Sequence, residues 1–271
     1  MRIDVFGNCQ ARGVARALAG MTDADVAFSW LQSPDAFGVY PDAGTGPELH
    51  AVLQAEGLPL KYARGGVDHP WTPPLQAGDP LPDVFVFTMF PEPGNLFRAP
   101  DGNLVYLNPE ALAVSPGLRR WVRENLAPYR TDAADYLLRF ADMLRDAARL
   151  NPGAPLVVVG RSRPAPAYAP APHCLLADWD DLSRGHEERL RLLAREVPGL
   201  LFVDADRVVL DACARQGESI DRFYPCLRFL GPGHGEPSRD LEHAPDALWR
   251  EVALAAARML NGGAAPGHGR D

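Results

Sequence analysis

The chain alternates between short apolar runs and longer stretches whose apolar residues recur at helical spacing. Residues 2–6, Arg-Ile-Asp-Val-Phe, form the first run and close at Gly7. Positions 11, 14, 15 and 18 then carry Ala, Val, Ala and Leu, which predicts a helix over 10–20. Further strands are predicted at 25–31, 84–89, 156–159, 200–204 and near 227–230. The stretch 84–89, Val-Phe-Val-Phe-Thr-Met, is nearly all apolar, as a strand buried on both faces is. Helices are predicted at 47–56, 109–125, 132–150, 184–196, 206–215 and 244–260, with Asn151-Pro152-Gly153 stopping the third of them. Between 95 and 108, Asp101-Gly102 predicts a two-residue turn joining 95–98 to 104–107 in a β-hairpin. Segments 57–82 and 161–180 are rich in Pro or Gly and read as surface loops, long enough for lids or binding segments.

Strands alternating with helices predict an α/β fold in which a parallel sheet is covered on both faces. The hairpin at 95–108 would be an excursion from that sheet. One domain is expected over 1–260, and the Gly-rich tail at 261–271 is expected to be disordered. In such folds, sites lie at the C-terminal ends of the strands.

Composition narrows the functional classes. With 46% hydrophobic and 23% charged residues, the 271-residue chain has material for a buried sheet. A net charge of −8 argues against nucleic acid as partner, since phosphate contacts need a basic face. Arginine outnumbers lysine 26 to 1, which reads as coding bias. No apolar run approaches the roughly 18 residues of a membrane span, and the first residues read as a strand rather than a signal peptide. Cys9, Cys174, Cys213 and Cys226 show no CxxC spacing, so neither a metal site nor a disulfide framework is expected, and free thiols fit a cytoplasmic location.

Two segments carry chemical potential. In Gly7-Asn8-Cys9-Gln10 the cysteine falls between the first strand and the first helix. Helix N-terminal amides there favour a thiolate. Gly7 permits close approach of a ligand, the Cys9 or Gln10 amide can serve a developing oxyanion, and Asn8 can cap the helix. A packed structural cysteine is the bland alternative. The second segment, Asp240-Leu241-Glu242-His243, just precedes the last predicted helix. His243 would act as base and Asp240 would orient it, if both lie beside the end of the first strand. A polar helix start is the alternative there, and His234 in Gly231-Pro-Gly-His-Gly is a rival base. Arg161 and Arg163 follow a strand and are candidates for binding a phosphate or carboxylate, with ordinary surface charge equally in view. Trp71, Phe90 and Phe97 are read first as packing beneath loops.

Together these ends resemble the SGNH/GDSL hydrolase superfamily, with its N-terminal nucleophile and C-terminal DxxH. The wording Gly7-Asn8-Cys9-Gln10-Ala11 more closely resembles the WcbI-like capsular polysaccharide biosynthesis family. The resemblance is strong over about the first 20 residues and looser beyond. It implies a flavodoxin-like three-layer α/β/α sandwich and acetyltransferase activity with coenzyme A. On it, Cys9 replaces the usual serine, Asp240 and His243 are acid and base, Asn95 is a candidate for the oxyanion asparagine, and Gly65 or Gly66 for the family glycine. The expected activity is transfer of an acyl group from an acyl-CoA co-substrate to a sugar-like or natural-product acceptor. No permanently bound cofactor is expected. Ester or thioester hydrolysis, and non-catalytic ligand binding on the same fold, are the alternatives.

Overall fold

The computed structural model describes the chain apart from residues 8, 32, 38–44, 59–79, 90–95, 103, 108, 130–132, 161–191, 194, 219–221, 224–225, 228–237, 240–245 and 263–271. From the N-terminus, β1 (Arg2–Gly7), α1 (Cys9–Ala19) and β2 (Asp25–Trp30) are followed by a 3-10 turn at Pro34–Ala36, α2 (Thr45–Ala55) and β3 (Val84–Thr88). Next come β4 (Leu96–Arg98), β5 (Leu104–Tyr106), α3 (Pro109–Val114), α4 (Pro116–Asn125), β6 (Ala127–Pro128) and α5 (Ala133–Leu150). The C-terminal third contains β7 (Leu156–Val159), β8 (Leu200–Val203), α6 (Ala205–Gln216), β9 (Cys226–Leu227), β10 (Ser238–Arg239) and α7 (Asp246–Leu260).

Five strands form the main sheet in the order β2-β1-β3-β7-β8, with every pairing parallel. The chain steps from β1 outward to β2, then crosses β1 to lay down β3, β7 and β8. This is the flavodoxin-like order, with its topological switch point between β1 and β3.

Alternation along the strands divides the apolar residues between two cores. Ile3, Val5, Val84, Val86, Val157 and Val159 face one way, into a cluster completed by α1, α6 and α7. Phe6, Phe85, Phe87, Leu156 and Val158 face the other, toward Tyr136 and Phe140 of α5. Phe6 stacks on Phe87 at 5.2 Å, so the second core is largely aromatic. Helices on both faces give the three layers that the sequence predicts.

The β4–β5 hairpin stands apart from the main sheet, as expected, but its turn is longer. Arg98 pairs with Leu104, and the Gly102 amide donates to Ala99 O at 2.9 Å, so the connection runs over 99–103. Gly102 takes a φ of 87°, which glycine adopts without strain. β6 adds a third, antiparallel strand that the sequence reading lacked. The helix predicted over 109–125 is two helices. Pro116 disfavours helical geometry at Ser115, which instead caps α4 by accepting from the Leu118 amide at 3.0 Å. Arg119 donates back to the Leu112 and Ala113 carbonyls, closing the end of α3. These elements share a satellite core of Leu49, Leu53, Val105, Leu107, Leu118 and Val122, against which Phe97 packs.

Of the strand predicted near 227–230, Leu227 lies in β9, which pairs antiparallel with β10, and 228–230 fall outside the described residues. The helix over 184–196 falls mostly outside the described residues, and the bulk of the loops at 57–82 and 161–180, Trp71, Phe90 and the tail fall outside them too. Among the described residues no helix is long and apolar enough to cross a membrane.

Candidate active site

The sheet register brings four strand ends to one level. Phe6 pairs with Phe87, so Gly7 and Thr88 are the next residues of β1 and β3; Thr88 pairs with Val159, and Val159 with Val203. Gly7 and Thr88 therefore flank the switch point, where doubly wound folds bind their ligands.

Close packing defines this corner. Gly7 has a φ of 151°, and a Cβ there would lie 2.2 Å from Thr88 Oγ1 and 2.9 Å from Ala11 Cβ. The Thr88 hydroxyl thus occupies the space that a side chain at Gly7 would need. The Gly7 carbonyl accepts from the Leu31 amide at 2.8 Å, which ties the turn to the end of β2. Among the described residues, Thr88 Oγ1 is buried and has no hydrogen-bond partner.

α1 begins at Cys9, two residues beyond Gly7, and its first turn carries no acidic side chain. A helix start of this kind favours an anion through its amides and dipole. Gln10 is buried at 6% exposure, next to the fully buried Ala11.

Packing of α7 on α1 bears on the second predicted segment. Trp249 covers Gly13: a Cβ at Gly13 would lie 2.4 Å from the indole. Arg16 of α1 pairs with Asp246, the first residue of α7, at 3.7 Å. The first turn of α7 therefore starts beside the C-terminal half of α1, about two turns from Cys9. Of the predicted site residues, Gly7, Gln10 and the backbone of Cys9 gather at the switch point. Asn8, Asn95, Arg161, Arg163, His234, Asp240 and His243, with Gly65 and Gly66, lie outside the described residues.

Cys213, in α6, is a contrasting thiol. Burial, then the nearby Glu218 carboxylate, push its pKa up, so it stays protonated. Thr88 is the residue that sequence reasoning passed over. Its signal was a lone polar side chain at the end of the run Val-Phe-Val-Phe, although only the strand register shows that it meets Gly7.

No protein-family model matches the chain, and no curated protein matches it. Among solved structures, it is similar to a carbohydrate esterase family 2 enzyme with a carbohydrate-binding domain from Corynascus thermopiles (Myceliophthora fergusii). Identity is 12% and the TM-score 0.46; the likeness covers 97% of this chain and 66% of that one, just under two thirds of its length.

Proposed function

We propose that the protein is a cysteine-dependent acyltransferase that takes an acyl group, such as acetyl, from an acyl-CoA thioester. Its acceptor is a hydroxyl or amine of a sugar-like or natural-product molecule. The observation that carries this reading is the position of Cys9: it opens α1 immediately beyond the switch point between β1 and β3. The resemblance of Gly7-Asn8-Cys9-Gln10 to the WcbI-like family, and of the DxxH to SGNH enzymes, supports the same chemistry.

The Cys9 thiolate attacks the thioester carbonyl, forming a tetrahedral oxyanion. Collapse expels coenzyme A as its thiolate, which takes up a proton, and leaves an acyl group on Cys9. The acceptor hydroxyl then attacks this new thioester while His243 removes its proton. The second collapse frees Cys9 and yields the acylated product. Asp240 orients His243, and the Cys9 amide with Asn95 serves the oxyanion. Arg161 and Arg163 are the candidates for the phosphates of coenzyme A, and Asn8, Gln10 and His234 for further substrate contacts.

The test is kinetic. Cys9→Ala should lower acyl transfer by at least roughly 10³-fold, with an unchanged circular dichroism spectrum. Full activity in that variant removes the covalent route. Product analysis with and without acceptor separates transfer from hydrolysis.

A further inference from the structure

We propose that Thr88 is a positioning residue whose hydroxyl, packed against Gly7 at the switch point, donates a hydrogen bond to the Cys9 sulfur and holds it as a thiolate. This rests on the reading of Cys9 as nucleophile and adds a residue that the sequence motifs do not include.

Thr88 is 2% exposed, and among the described residues its Oγ1 has no hydrogen-bond partner. A buried hydroxyl without a partner is destabilising, and valine would fill the same space without that loss. The surroundings narrow the choice of acceptor. Oγ1 lies on the α1 side of the sheet, against Gly7 and within the same tight corner as Ala11. A helix N-terminus presents amide donors, which cannot accept the hydroxyl proton. A thiolate on Cys9, two residues beyond Gly7, is an acceptor of the required kind. Hydrogen bonding to the charged form lowers a pKa, so the hydroxyl and the α1 dipole would act in the same direction.

The geometry also accounts for Gly7. With no side chain there, the Thr88 hydroxyl sits directly beneath the turn that carries the cysteine.

The experiment measures iodoacetamide alkylation of Cys9 against pH in the full chain, located by peptide mass spectrometry. Wild type, Thr88→Val and Thr88→Ser are compared, and thermal melting is recorded for each. In Thr88→Val the midpoint of the Cys9 profile should move up by about one unit, making alkylation roughly tenfold slower below it. Thr88→Ser should return the wild-type profile, and Thr88→Val should melt no lower than wild type. A purely structural Thr88 predicts the reverse: lowered melting and an unmoved profile. Superposable profiles for wild type and Thr88→Val overturn the proposal. Should Thr88→Val fail to fold, Thr88→Ala gives the same reading. The nucleophile assignment is judged separately, by the acyl transfer of Cys9→Ala.

Discussion

At Gly7 the backbone takes a φ of 151° while the Thr88 hydroxyl fills the place of a side chain. Gly7→Ala should therefore lose roughly 2–4 kcal/mol of stability, from backbone strain and overpacking combined; urea denaturation measures it. The glycine was legible in the sequence as a turn residue, but the reason for it was not. Strand register is a long-range property, and it alone brings residue 88 to residue 7. Burial and Glu218 raise the Cys213 pKa, so its folded form favours the thiol. Its contribution to stability is thus present below the ordinary cysteine pKa and lost as pH rises through the raised value. Replacing it, as in Cys213→Ala, should remove that part of the alkaline loss in denaturation measured against pH. At neutral pH, Cys213 should alkylate more slowly than Cys9.

Helix α1, which begins at Cys9, packs closely against its neighbour α7. Gly13 lets the Trp249 indole lie directly against α1, and Trp249 itself is 7% exposed. Gly13→Val should push the helices apart and cost about 1–3 kcal/mol, read by thermal or chemical denaturation. The positions of both helices were readable from periodicity, since each buries one apolar stripe against the sheet. Their mutual packing was not readable, because a glycine inside a helix gives no hint of which aromatic residue will cover it. The break between α3 and α4 was signalled by Ser115-Pro116, and the helical periodicity across it obscured that signal. The hairpin turn lengthened because pairing stops at Arg98 and Leu104, which leaves Asp101-Gly102 inside a wider loop.

For the molecule as a whole, the parallel sheet and its helical layers followed from the alternation of apolar runs and helical stretches. The satellite core was not visible, because α2, α3, α4 and the hairpin are separated along the chain and meet only in three dimensions. This lobe is fastened to the end of β2 by charge. Asp35, just beyond β2, pairs with Arg98 at 3.3 Å and with Arg139 at 3.5 Å, and accepts from the Tyr129 hydroxyl at 2.8 Å. Both guanidiniums also lie over the Tyr129 ring. Main sheet, hairpin and α5 are thereby joined close to the strand ends that frame the switch point.

The proposed chemistry rests on Cys9, which opens α1 beyond that switch point. Its most direct test is to mix the protein with acetyl-CoA, quench in acid, and map the products by peptide mass spectrometry. The account predicts one acetyl group on the peptide containing Cys9, absent from Cys9→Ala and discharged when an acceptor or hydroxylamine is added. Turnover of acetyl-CoA with Cys9 unmodified, and with equal rates in Cys9→Ala, would contradict it.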